Sequence, residues 1–227
     1  MVMYKPLFIL IFLLTVCITA SAQKWQPGHF TDVKGNKETG LIRISPSGKA
    51  PIKNEAFIEF KEDSKTEPFK LSASDLQSFV VGRDSFIVAH APANENWAKR
   101  EFEFVKVVLN EDVKLYEAYV GGGGKSGIGF APAVGGGIGT GGYGGGLGGG
   151  ISIPIGGGGG SEKTTWYFGA NTAKMQRLTD ENFEDTMSDI MGDEPDVVDK
   201  IHAKVYVLAN IEKLVAYFKQ VKKSHTN

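Results

Sequence analysis

Ala56-Phe57-Ile58-Glu59-Phe60-Lys61 decides the fold. Ala56, Ile58 and Phe60 fall on one side of an extended chain, and Glu59 and Lys61 fall on the other. A period of two is that of a β-strand whose successive side chains point to opposite faces, so this stretch reads as a strand with one apolar and one wet side. Runs of the same kind flank it. His29-Phe30-Thr31-Asp32-Val33 precedes Gly35-Asn36, and Glu38-Thr39-Gly40-Leu41-Ile42-Arg43-Ile44 follows. Gly-Asn between two such runs predicts a two-residue hairpin, because glycine supplies the positive φ the turn demands. Further strands are predicted at 79–82, 85–90, 101–109 and 114–120, the last two joined by Asn110-Glu111-Asp112. Short strands at this spacing predict an antiparallel β sandwich or open barrel.

Beyond residue 160 a hairpin returns: Thr164-Thr165-Trp166-Tyr167-Phe168 pairs across Asn171-Thr172 with Lys174-Met175-Gln176-Arg177-Leu178. The period then becomes helical. Thr179 reads as an N-cap with Asp180 and Glu181 in the first turn, where carboxylates meet the positive end of the helix dipole. Phe183, Met187, Ile190 and Met191 share a face. A second helix begins near Pro195, and a third carries Leu208, Ile211, Leu214, Val215, Phe218 and Val221. Three short helices bury too little surface alone, so a three-helix C-terminal layer should pack on the β region. The fold class is therefore α+β. Its expected divisions are a leader at 1–22, a β-rich domain at 23–120, an insertion at 121–160, a returning hairpin at 161–178 and the helical layer at 179–227.

Residues 121–160 contain 23 glycines in 40 positions, and no charge follows Lys125. A glycine in a water-exposed helix costs about 1 kcal/mol relative to alanine, so 23 of them cost roughly 20 kcal/mol and no such helix forms in water. The tract is expected to be a long glycine-rich flexible insertion between two neighbouring strands. Phe130, Val134, Ile138, Tyr143, Leu147 and Ile151 recur at intervals of four or five, which makes them the candidate membrane or self-contact residues. A phosphate loop is excluded: the glycine required six positions before Lys125 is Tyr119, and Gly127 to Pro132 is a poor helix start.

The N-terminus reads as a cleavable secretory signal. Lys5 is followed by an apolar run from Leu7 to Ile18, shorter than the roughly 20 residues of a spanning helix, and then by Ala20-Ser21-Ala22. Cleavage is expected after Ala22, which places the protein in the periplasm, at the outer membrane or outside the cell. A lipobox reading of Leu14-Thr15-Val16-Cys17 is disfavoured by the bulk of Val16. Cys17 is the only cysteine, so its loss with the leader would leave no disulfide, thiol nucleophile or cysteine metal site. The formal net charge of −1 argues against a nucleic-acid partner, which needs a clustered positive excess.

No strong catalytic pattern stands out. Asp180 to Asp199 is rich in carboxylates, but Asp189, Asp193 and Asp196 lack the glycine turn and twelfth-position glutamate of a calcium loop. His29, His90, His202 and His225 show no paired spacing, and Ser85 lacks the frame of a nucleophile elbow. No cofactor is expected. Trp25, Trp97 and Trp166 read as core or edge aromatics.

Trp25-Gln26-Pro27-Gly28, Gly40-Leu41-Ile42, the strand 57–61, Leu115-Tyr116, Leu178-Thr179 with Asn182-Phe183, and Leu214-Val215 with Tyr217-Phe218 give the chain a further likeness. It resembles a loose group of uncharacterised secreted or envelope proteins of Gram-negative bacteria, in which a small β region precedes a short helical tail. That resemblance implies architecture and export, and no activity. The expected function is that of an exported, non-catalytic binding or accessory module of the envelope. The alternatives are a membrane-associating or self-assembling protein acting through the glycine tract, and a hydrolase whose site is assembled only in the fold.

Overall fold

The computed structural model describes residues 25–44, 46, 48–92, 95, 97, 100–120 and 163–226. The leader and the glycine tract, with all six candidate contact residues, lie outside them. The strands are β1 (Gln26–Asp32), β2 (Lys37–Ile44), β3 (Phe57–Lys61), β4 (Phe69–Ser72), β5 (Leu76–Val81), β6 (Asp84–His90), β7 (Phe102–Leu109), β8 (Lys114–Val120), β9 (Lys163–Gly169) and β10 (Gln176–Arg177). Three helices follow: α1 (Phe183–Ile190), α2 (Pro195–His202) and α3 (Ile211–Thr226). The strands form one antiparallel sheet in the order β10-β9-β8-β7-β6-β5-β1-β2-β3-β4. The fold is thus α+β, with an open, curled sheet and a helical layer.

The connection from β4 to β5 forces the curl. A single 3-10 turn, Ala73–Asp75, joins them, although β4 lies four strand positions from β5. In a flat sheet that distance would be about 19 Å. Four residue steps span at most about 14 Å even when fully extended. Coiling the sheet brings the ends together. Backbone bonds fasten the curl where Ala73 N–H donates to Ala56 O at 2.8 Å and Ala56 N–H donates to Phe102 O at 3.0 Å. Phe30, Ile42, Ile58, Phe60, Phe79, Phe86 and Phe104 fill the inside.

A row of directly opposed residues shows how this interior meets the helices. Phe30 faces Phe79, Phe79 faces Phe86, Phe86 faces Lys106, Lys106 faces Glu117, and Glu117 faces Trp166. Opposed residues share a face, so the same side of the sheet carries the curled core at one end and the helix-bearing core at the other. In the latter, Leu109, Leu115 and Trp166 pack with Phe183, Met187, Val197, Ile201, Leu214 and Phe218. Between the two cores runs a charged seam, in which Lys106 Nζ lies 2.9 Å from Asp84 Oδ1. Partial desolvation and the neighbouring Lys106 hold the Lys219 ammonium below the ordinary lysine range. On the opposite face of β6 to β9, Trp97 covers Val105, Tyr116 and Tyr167.

The structure refines several local expectations. The β1–β2 loop is Val33–Asn36, four residues rather than two, because Asp32 organises it: its carboxylate accepts from the N–H of Lys34 and of Asn36, each at 2.8 Å. Gly35 has the positive φ, +87°. The Asn36 side chain and these backbone donors hold the Asp32 carboxyl below its usual range. The wet side of β3 is covered: Glu59 is buried beside Arg43, and Phe57 lies under the Lys70 ammonium. Long cationic side chains can shield such a face while keeping their charge in water. The strand expected at 174–178 is shorter, since a 3-10 turn at Thr172–Lys174 leaves only Gln176–Arg177 paired.

Candidate functional site

A groove of about 810 Å³ lies at the rim of the sheet, where β9 meets the starts of α1 and α3. Thr164 and Trp166 form its floor. Arg177 to Glu181 make one wall, and Leu208 to Lys213 make the other.

Each wall is shaped by one asparagine used in the same way. The Asn182 side chain accepts from Thr179 N–H at 2.8 Å and donates to Arg177 O at 3.0 Å. The Asn210 side chain accepts from Val207 N–H at 2.7 Å and donates to Val205 O at 3.2 Å. Each amide therefore staples the backbone three and five residues upstream, immediately before its helix begins. This overturns the expectation that Thr179 is the N-cap: α1 starts at Phe183, the residue before it is Asn182, and Thr186 N–H donates to Asn182 O. The Thr179 hydroxyl instead bonds Glu181 and, with the Glu181 backbone, holds that exposed carboxyl below its usual range.

Asn182→Ala and Asn210→Ala are each expected to destabilise the protein by about 1 kcal/mol, the ordinary loss for a side-chain bond that organises a helix entry. Chemical denaturation measures this. Asn→Asp at either site should retain the accepting bond and lose only the donated one, giving a smaller loss.

Among the described residues, the floor of the groove is a strand edge that is only partly paired. β9 pairs with β8 over its whole length, from Val120 opposite Lys163 to Lys114 opposite Gly169. On its other side it pairs with β10 only at Tyr167 and Phe168, and Leu178 N–H then donates to Trp166 O at 2.8 Å. Alternate residues of an antiparallel strand turn their backbone groups to the same side, so Thr164 follows Trp166 and Phe168 in presenting its N–H and C=O toward the groove. The Asn182 staple turns the chain away after Leu178, and no described strand reaches Thr164 on that side. Arg177 and Lys213 face Asp180, Glu181 and Glu212 around this edge. An extended polypeptide suits these features: backbone donors and acceptors along the strand, apolar surface from the half-buried Leu208, and charges of both signs at the rim.

Other candidate chemistry lies elsewhere. Trp97 Nε1–H donates to the Tyr167 hydroxyl at 3.0 Å, and that hydroxyl donates to Glu95 Oε2 at 2.5 Å. Burial and Glu95 push the Tyr167 phenol far above its usual range, so it stays protonated and acts as a packing link. Ser188 Oγ is 3.2 Å from His202 Nε2 on the surface of α1 and α2, outside the groove lining. His225 Nδ1 lies 2.8 Å from Glu194 Oε2, so two of the four scattered histidines make helix-surface contacts. Among the described residues no group of three His, Cys, Asp or Glu side chains could hold a metal, and no helix is long and apolar enough to cross a membrane.

The structure thus brings together Thr164, Trp166, Asn182 and Asn210, which were not singled out from sequence as a site. The only available signal was an asparagine directly before a helical apolar run. No family model, curated protein or solved structure matches the chain.

Proposed function

We propose that the protein is an exported, non-catalytic binding or accessory module of the cell envelope that takes an extended polypeptide along the free edge of β9. The observation that carries this reading is the Thr164 backbone pair facing an open groove walled by two asparagine-stapled turns. The signal-like N-terminus and the resemblance to envelope proteins support the location. Thr164→Pro removes the donor that faces the groove and leaves the β8 side of the strand intact, since proline is tolerated at an edge. Wild-type protein is expected to sediment with envelope fractions. The variant should be released, with affinity weakened about tenfold, the equivalent of one lost hydrogen bond of about 1.4 kcal/mol. Identical sedimentation of the two would refute strand capture. Turnover of an envelope substrate that disappears on replacing a single carboxylate or histidine would refute the non-catalytic reading.

A second reading is membrane association or self-assembly through Phe130, Val134, Ile138, Tyr143, Leu147 and Ile151. It is favoured by the pairing of Val120 with Lys163, which makes both ends of the tract leave the sheet at one point of its rim. Equal solubility and monomeric behaviour of the full chain and of a variant lacking 121–160 would dismiss it.

A further inference from the structure

The strand slot beside Thr164 is closed at one end. Leu178 N–H donates to Trp166 O at 2.8 Å, and the Asn182 side chain then turns the chain aside by bonding Thr179 N–H and Arg177 O. A polypeptide laid along Thr164 therefore cannot run on past Trp166. One of its ends must meet Leu178 and the turn at 179–181.

Strand direction decides which end that is. The ten strands pair antiparallel from β10 to β4, and antiparallel pairing is the slightly more stable kind per residue. β9 runs from Lys163 toward Gly169. A strand added antiparallel to it runs the other way, starting at the closed end. Its amino terminus abuts Leu178, its first residue lies beside Thr165 and its second beside Thr164. A parallel strand would bring a carboxyl terminus to the same place.

The charges at that end distinguish the two. Asp180 and Glu181 follow directly on the closing residues, Glu212 stands on the other wall, and all three are exposed and line the groove. The Thr179 hydroxyl holds the Glu181 carboxyl below its usual range and so keeps it ionised. Against them stand Lys213 on the far wall and Arg177, which is opposed to Tyr167 and so starts on the sheet face away from the helices. An ammonium placed here gains charge-assisted hydrogen bonds, and a terminal carboxylate would meet its own sign.

We infer that the groove recognises the free amino terminus of a separate polypeptide, with its α-ammonium against Asp180 and Glu181 and its second residue paired with Thr164. The inference rests on the reading of the groove as a strand-binding site and names the part of the partner that it takes. The second residue shares the side of Thr164 and Trp166, which is the side of the helices. The half-buried Leu208 lines the groove there, so an aliphatic side chain suits that position.

Fluorescence anisotropy with the full chain tests this. The probe is the peptide amide Ser-Val-Thr-Val-Thr-Lys, labelled on the lysine side chain, with its amino terminus either free or acetylated. The free form is expected to bind at least about tenfold more tightly, the worth of one charge-assisted bond. Asp180→Asn combined with Glu181→Gln separates charge from the bulk of the acetyl group. Both residues are exposed, so a thermal melt should show the fold unchanged. The double variant should lose about tenfold for the free peptide and nothing for the acetylated one. Equal affinity of the two peptides, or an equal loss of both in the double variant, would overturn the inference. If both bind alike and Thr164→Pro releases both, strand capture stands without recognition of the amine. A preference for the free amine that survives Thr164→Pro would do the reverse, and binding of neither peptide would remove both readings.

Discussion

Phe79→Ala is expected to destabilise the protein by about 4 kcal/mol, enough to remove a large share of the stability of a chain this size. Phe79 is fully buried on β5. Its ring stacks on Phe86 with centroids 4.7 Å apart and an interplanar angle of 13°, and it meets Phe104 edge-on at 4.9 Å and 89°. Truncation removes the transfer energy of a benzyl group, leaves a cavity between β1, β5 and β6, and breaks two aromatic pairs worth about 0.5 to 1.5 kcal/mol each. Collapse cannot readily fill that cavity. The surrounding strands are tied by the short β4–β5 turn and by the Ala56–Phe102 bond across the opening of the curl. The exposed Phe69 on β4, which touches only the rim of the same core, serves as comparison, and Phe69→Ala should cost about 1 kcal/mol or less. Urea denaturation should show the midpoint of Phe79→Ala falling with an unchanged slope. A loss below about 1 kcal/mol would mean that the curled core does not carry the fold.

Much of this architecture was legible where a residue's local pattern and its tertiary role agree. Ala56, Ile58 and Phe60 alternate in sequence and do point into the curled core. Lys114–Val120 and Thr164–Phe168 read as neighbours across the glycine tract, and β8 and β9 are paired over seven positions. Pro195 opens α2 as a proline at the first helical position should. The failures have physical causes. Phe69–Ser72 was missed because it is a four-residue edge strand in which only Ser72 is buried, so no alternation marks it. Thr179 was read as a cap because Thr-Asp-Glu carries the usual composition of a helix start. The backbone there is a turn whose bonds go to Asn182, three residues on, and local composition does not distinguish the two. The site was least legible. Its floor is the side of Thr164 that no described strand reaches, and which strand lies beside which is a property of strand order rather than of any residue's own chemistry. The six apolar residues first marked for contact remain outside the described residues.

Gly28→Ala is expected to cost about 3 kcal/mol, at the upper end for an overpacked position, although it adds a single methyl group to a strand. Gly28 on β1 stands directly opposite Gly40 on β2, and both lie on the concave side with Phe30 and Ile42. A Cβ at Gly28 would sit 2.2 Å from the backbone oxygen of Val80 and 3.1 Å from Ile42 Cδ1. At Gly40 it would sit 2.4 Å from the Lys61 oxygen and 2.7 Å from the Phe60 ring. The obstacle is space and not φ, and at both positions the nearest atom is backbone, which no rotamer change can move. The two glycines are therefore what permit β5, β1, β2 and β3 to bend inward far enough for a three-residue turn to join β4 to β5. Forcing β1 away from β5 also opens the helix-bearing end, because β5 leads through β6 and β7 to the strands under α1 and α3. Gly35→Ala provides the contrast: its φ of +87° strains a side chain, but nothing lies within 4 Å of the added atom, so its loss should stay near 1 kcal/mol. Thermal melts of the three variants, Gly28→Ala, Gly40→Ala and Gly35→Ala, should rank the first two well below the third. A Gly28→Ala protein as stable as the wild type would show that the sheet is flatter than this close approach requires.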